Sequence, residues 1–219
     1  MDKREKVIQA LEHYKTMYIF RAADMNIHDV IQAVEAVKKG GGKLIEITYS
    51  HKNDDYKQSI QAIEALKCTF PDLYIGAGTI LTKEETVQCL QAGADFIVSP
   101  SLHKEVIDTA HSFNTMCMPG ACTSTEVVQA QAWGADFVKL FPAGVLGIEY
   151  AKAIMKPLNF IRYFAVCNMN DQLFEQFLNI GFSGAGISSC INDPQIISEK
   201  RFDIIEQRVR RYTEIAARY

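Results

Sequence analysis

The chain has 219 residues, 48% of them hydrophobic, enough for one well-filled core and within the range of one large α/β domain spanning 1–219. Its 23 basic and 26 acidic residues are spread along the sequence and leave a net charge of −3, so no basic stripe points to nucleic acid and no polybasic segment to a membrane surface. A small molecule is the expected partner.

The N-terminal segment MDKREKVIQALEHYK reads as a charged amphipathic helix without the apolar core of a signal peptide, and no later run approaches a membrane span. The expected location is the cytoplasm. Short apolar strand candidates follow in the order MYIFR, KLIEITY, LYIGAG, FIVSP, TMCMPG, FVKLFPA, RYFAVC and FSGAGI. Helical periodicity occupies stretches such as 26–39, 54–67, 83–92, 123–133 and 171–179, with a longer charged helix from about 194 to the end. Glycines 40–42, Gly93, Gly134 and Gly181 stand where helix C-caps meet the next strand. Eight alternations predict a (β/α)8 TIM barrel, with the leading helix as an extra element closing the bottom. A doubly wound sheet shares the alternation, but the count favours the barrel and no Gly-x-Gly-x-x-Gly follows the first strand.

Cys68, Cys89, Cys117, Cys122, Cys167 and Cys190 show no short paired spacing and read as reduced, mostly packed residues. The five histidines form no ligand pattern, so no metal site is supported.

Lys139 is the least expected residue of its strand, set within Phe137-Val138-Lys139-Leu140-Phe141. Burial disfavours an ammonium ion, and a lysine that loses its proton near neutral pH becomes an amine able to condense with a carbonyl. The plainer reading is a stem lying along the strand with its head in water or on a carboxylate. An internal comparison favours chemistry: Gly93-Ala94-Asp95-Phe96-Ile97-Val98 recurs as Gly134-Ala135-Asp136-Phe137-Val138-Lys139, so the slot of Lys139 holds an ordinary valine in the other copy.

Alternate strand residues point inward, and barrel chemistry gathers at the carboxyl ends of strands. Parity puts Phe137, Lys139 and Phe141 on one face, and Leu44, Glu46 and Thr48 on one face of the second strand, so Glu46 points inward like Lys139. Arg21 ends the first strand, and Thr79 follows the third in Gly76-Ala77-Gly78-Thr79. An amine, a carboxylate, a guanidinium and a hydroxyl converge on one mouth. A structural ion pair between Glu46 and Lys139 would account for both without chemistry.

The succession of Glu46 in IEIT, then IGAGTIL, GADFIVSP, PGACTSTEV and GADFVKLFPA resembles the 2-keto-3-deoxy-6-phosphogluconate (KDPG) and 4-hydroxy-2-oxoglutarate (KHG) aldolase family, over about residues 21–143. The resemblance implies a class I pyruvate aldolase on a homotrimeric barrel, cleaving a 2-keto-4-hydroxy acid to pyruvate and an aldehyde. It implies no cofactor beyond the covalent imine through Lys139, with Glu46 as general acid/base and Arg21, Thr79, Pro100 and Phe141 lining the pyruvyl pocket. Two departures stand out. Family members usually carry arginine where this chain has Ser50, and usually show Thr-Gly-Gly after the seventh strand, where this chain reads Val166-Cys167-Asn168-Met169-Asn170. Gly184, Gly186, Ser188 and Ser189, after the eighth strand, are the remaining candidate anion donors. The departures leave the lyase chemistry in place and put a phosphorylated substrate in question. A sugar-phosphate isomerase or epimerase, or a non-catalytic binding barrel, remains the alternative. A metal-dependent aldolase finds no assignable ligands.

Overall fold

The computed structural model describes residues 2–53, 55–188 and 191–219; Asp54, Ser189 and Cys190 lie outside them. Helix α1 (Lys3–Tyr14) starts at Asp2, whose side chain accepts from the Glu5 N–H, and ends at Lys15 in the left-handed region. Alternation follows: β1 (Thr16–Phe20), α2 (Ile27–Lys39), β2 (Leu44–Thr48), α3 (Tyr56–Thr69), β3 (Tyr74–Gly78), α4 (Lys83–Gln91), β4 (Phe96–Val98) and α5 (Lys104–Ser112). The second half runs β5 (Met116–Met118), β6 (Gly120–Ala121), α6 (Ser124–Ala132), β7 (Val138–Leu140), α7 (Ala143–Met155), β8 (Tyr163–Val166), α8 (Asp171–Asn179) and β9 (Gly184–Ile187). Two helices, α9 (Pro194–Ser198) and α10 (Phe202–Ala216), close the chain. Capping boxes start α4 (Thr82 with Glu85) and α6 (Thr123 with Glu126).

All strand pairs are parallel, in the order β5-β4-β3-β2-β1-β9-β8-β7-β6. The sheet begins and ends on β5 and β6, consecutive in sequence and separated only by Pro119, which has no N–H to give. They are two halves of one stave. Ser99 N–H donates to the Met118 carbonyl on one side, and Lys139 N–H to the Pro119 carbonyl at 2.9 Å on the other, so the sheet closes as an eight-stave (β/α)8 barrel.

Parity sorts the core as the sequence predicts. Met17, Ile19, Leu44, Phe96, Val98, Met116, Met118, Phe137, Phe164 and Val166 form one apolar cluster inside the barrel, joined by Val7, Ile8, Ala10 and Leu11 of α1. Ile45, Ile47, Ile97, Val138 and Leu140 belong to the layer between strands and helices. Helix α1 is therefore the plug at the amino end of the barrel.

The Gly-Ala-Asp repeat has one job in both copies. Gly93 and Gly134 turn the chain with φ of 98° and 86°. Asp95 then accepts from the Ile75 N–H and from Lys67, and Asp136 from the Cys117 N–H and from Arg4, so each aspartate ties its strand to the one before it. Arg4 and Lys3 are on α1, which is fastened at two points.

One expectation is corrected. The terminal helix is broken, because Lys200 takes a left-handed φ of 55° and Arg201 N–H turns back to the Ile196 carbonyl. Lys200 pairs with Asp29 of α2, which holds the break in place. Among the described residues, no helix is long and apolar enough to cross a membrane.

Candidate active site

Lys139 is the middle residue of β7, in register with Gly120 on one side and Phe164 on the other. It is 5% exposed, and its Nζ lies 5.4 Å from the centroid of the Phe141 ring. Burial pushes its ammonium pKa down, opposed by the charges of Glu46 and Cys167. Glu46, the middle of β2, is 1% exposed. Burial pushes its carboxyl pKa up, opposed by Lys139.

The two groups feel each other without touching. Among the described residues no ion pair within 4.0 Å joins them, and Glu46 Oε2 is buried with no hydrogen-bond partner. A structural ion pair would saturate the carboxylate; this carboxylate is left open, and an orphaned buried oxygen calls for an explanation in function or a bound group.

Glycine makes room for it. A Cβ on Gly78 would stand 1.8 Å from Glu46 Oε1 and 2.3 Å from its Cδ, so the carboxylate rests on the bare backbone at the end of β3. Thr79 follows immediately, half-buried, with φ of 62°. Its backbone turns just past the strand end, one residue beyond the Gly78 backbone on which Glu46 rests. A Cβ on Gly120 would fall 2.2 Å from the Pro100 carbonyl, so the glycine facing Lys139 lets the Pro100 segment cross closely over the fifth stave. Phe141 and Pro100 are half-buried at the carboxyl ends of their strands, and Arg21 is exposed immediately after β1.

The glycines of β9 need correction. Gly184 is the first residue of its strand, at the closed end of the barrel, where a Cβ would meet the Lys15 carbonyl at 2.3 Å and Phe164 at 2.5 Å. A Cβ on Gly186 would meet Ile19 at 2.8 Å and Val166 at 3.1 Å. Both lie inside β9 and not after it, and the interior packs against them, which gives each a steric reason to be glycine. Ser188 does lie beyond the strand end, where its Oγ accepts from Asn192 Nδ2 at 3.1 Å.

Sequence reading missed Asn192. Its Nδ2 also donates to the Ile19 carbonyl, tying the loop after β9 to β1, while its Oδ1 is buried without a partner. No motif marks it, since its importance comes from a contact 173 positions away. Cys167 and Asn168 are a second surprise: their φ values of 98° and 51° are those that glycine adopts most readily, although neither is glycine. The Cys167 carbonyl also presses on Gly144, where a Cβ would stand 1.9 Å away. The loop after β8 therefore keeps a glycine-like path with side chains added. Among the described residues, no group of three or more His, Cys, Asp and Glu could hold a metal ion.

A family model described as KDPG and KHG aldolase matches residues 7–208. The chain belongs to the KDPG and KHG aldolase family. The 2-dehydro-3-deoxy-6-phosphogalactonate aldolase of Escherichia coli K12 is 33% identical over 162 residues, 74% of this chain and 77% of the relative. A solved structure titled as native KDPGal superposes with a TM-score of 0.81 at 27% identity, over 93% of this chain and 96% of the other. The Legionella pneumophila KDPG aldolase, described as having pyruvate captured at low pH as a covalent carbinolamine, matches with a TM-score of 0.81 at 24% identity, over 93% and 96%.

Proposed function

We propose that this chain is a class I aldolase that cleaves a 2-keto-4-hydroxy acid to pyruvate and an aldehyde, with Lys139 as nucleophile and Glu46 as proton carrier. One observation carries the assignment: an amine and a carboxylate, both inside the barrel, are each driven by burial toward the neutral form and are not spent on one another. The family match supports the reaction class.

The neutral Lys139 amine adds to the C2 carbonyl of the keto acid to give a carbinolamine. Glu46 in its acid form protonates the departing hydroxyl, water leaves, and a protonated imine remains. The imine accepts the electron pair of the C3–C4 bond as it breaks, while Glu46, now the carboxylate, takes the proton of the C4 hydroxyl. The aldehyde departs and an enamine is left. Protonation at C3 and hydrolysis then release pyruvate and restore the amine. Thr79 and nearby backbone N–H groups hold the pyruvyl carboxylate, Arg21 supplies positive charge at the rim, and Phe141 and Pro100 pack against the methyl side. Gly184 and Gly186 drop out of the binding set, and Ser188 stays as a donor at the rim.

The proposal extends to a cytoplasmic homotrimer of chains folded as one unit over 1–219, acting on a keto acid whose aldehyde half need not carry phosphate. Incubation with pyruvate and borohydride should add one reduced pyruvyl group to the peptide that contains Lys139. An unmodified protein, or label on a surface lysine such as Lys152, rejects the assignment.

A further inference from the structure

At the closed end of the barrel, opposite the candidate active site, a cavity of about 330 Å³ is lined by Lys3, Lys6, Lys67, Asp72 and Asp95, with Val7, Pro71, Leu73 and Tyr74. That is room for a small metabolite. Lys67 bonds Asp95 at 2.7 Å; Lys3 stands 4.0 Å from the same carboxylate and donates to the Ala94 carbonyl at 2.8 Å. Lys38 and Lys43, from α2 and the turn after it, both close on Asp72, at 2.6 and 3.2 Å. Lys6 makes no side-chain hydrogen bond or ion pair among the described residues. Four lysines thus share two carboxylates while Lys6 lines the cavity beside them without a side-chain partner among the described residues, and each bonded lysine retains donors it has not used.

The other Gly-Ala-Asp copy is the internal control. There Asp136 meets one guanidinium, with Arg4 Nε at 2.9 and 3.1 Å and Nη2 at 2.8 Å, and His111 approaches the second oxygen at 3.4 Å. One carboxylate is balanced by one fixed cation, and the fastening of α1 is complete. Holding the helix therefore does not require a surplus of lysines around Asp95. Burial and the neighbouring Lys67 charge both disfavour the Lys3 ammonium, with Asp95 opposing them, so a further anion would relieve that crowding.

We infer that this cavity binds a phosphate dianion, free or as the phosphoryl end of a small metabolite, between Lys3, Lys6 and Lys67. Lysine binds phosphate as a point charge, without the planar fork that carboxylate recognition favours. Val7, Pro71, Leu73 and Tyr74 give the organic part of a phosphate ester an apolar wall. The ligand would bridge α1 to the α3–β3 turn and so brace the barrel plug. This reading is independent of the chemistry at the mouth.

Titration calorimetry on the full chain tests it with two probes, inorganic phosphate and glycerol 3-phosphate, at a fixed ionic strength of about 0.15 M so that general screening is constant. Saturable binding of either probe is expected above the heat of a sodium chloride control. If phosphate and the ester bind equally, the site reads the phosphoryl group alone; if the ester binds more tightly, the apolar wall contributes. Lys6→Glu, at an exposed position, should raise the dissociation constant tenfold or more with the melting temperature unchanged, while Arg21→Ala, at the mouth, should leave it unaltered. Absence of saturable binding, the same affinity in Lys6→Glu, or loss of binding in Arg21→Ala overturns the inference.

Discussion

Gly78→Ala is the sharpest test of the candidate site, because it moves Glu46 without altering any ionisable group. The new methyl would lie 1.8 Å from Glu46 Oε1, and ordinary contact begins at 3.4 Å, so the carboxylate must retreat by about 1.6 Å or swing to another rotamer. Displacements of about 1 Å cost on the order of a hundredfold in rate when a reacting group is involved, about 2.7 kcal/mol in the barrier. Stability should fall only modestly. Oε2 has no hydrogen bond to lose, Gly78 is outside the left-handed region, and the gain of about 0.4–1 kcal/mol from removing freedom in the unfolded chain offsets part of the about 1–3 kcal/mol that overpacking a buried contact costs. The assay couples pyruvate release to lactate dehydrogenase, with thermal unfolding measured in parallel. The expected outcome is kcat lower by about a hundredfold or more in a protein that melts within a few degrees of the parent. A variant that keeps kcat within threefold at unchanged melting temperature refutes the placement of Glu46 in the reaction.

Glu46→Gln should also retain the fold while turnover drops by about a hundredfold or more; unfolding with activity per folded molecule preserved would favour a structural role. Asp136 supplies an acid-side expectation: burial raises its pKa, but His111, Arg4 and the Cys117 N–H outweigh this and hold it below 3.8. Its stabilisation is complete above that value and is lost as the pH falls through the lowered pKa, so Asp136→Asn should lower the melting temperature at neutral pH and flatten its acid limb. An acid limb as steep as the parent's would show that other carboxylates carry it. For substrate choice, kcat/KM for 4-hydroxy-2-oxoglutarate should fall within about tenfold of that for KDPG, a gap of about 1.4 kcal/mol; a thousandfold preference for the phosphorylated compound would show that the loops after β8 and β9 still form a strong phosphate cradle.

The barrel was legible because its grammar is local. Each βα unit carries its own apolar strand, side-chain caps start α2, α4, α6 and α8, positive-φ glycines (Gly41, Gly93, Gly134 and Gly181) follow those same four helices, and the eight-fold repetition sets the closure. Glu46 and Lys139 were legible for a similar reason: a period of two fixes their face, and Val98 supplies the contrast for Lys139. What stayed hidden depends on contacts between distant segments. Gly184 reads as a flexible donor until the Lys15 carbonyl and the Phe164 ring are seen filling the space beside it. The lone oxygen of Asn192, and the separation of Glu46 from Lys139, depend on side-chain placement that spacing does not encode. The break at Lys200 is a backbone choice by a residue with no intrinsic need for it, held by Asp29 on another helix.

The same distinction separates the rim of the barrel from its centre. Glu46 and Lys139 grow from mid-strand positions whose neighbours are fixed on both sides, Ile19 and Gly76 for one and Gly120 and Phe164 for the other. A substitution there disturbs a closed ladder. Ser50, Cys167 and Asn168 lie past strand ends, where the backbone is free of the ladder and side chains can change without cost to closure. Yet Cys167 and Asn168 retain left-handed φ values, and the Cys167 carbonyl still abuts Gly144. A shape that glycine adopts most readily is here taken by residues with side chains, at a conformational cost of about 1–3 kcal/mol per residue where the residue is strained. The path passes close against Gly144, and the Cys167 side chain stands within electrostatic range of Lys139. On the proposed reading the imine chemistry stays where the ladder holds it, and the loop after β8 is where recognition of the aldehyde half would differ.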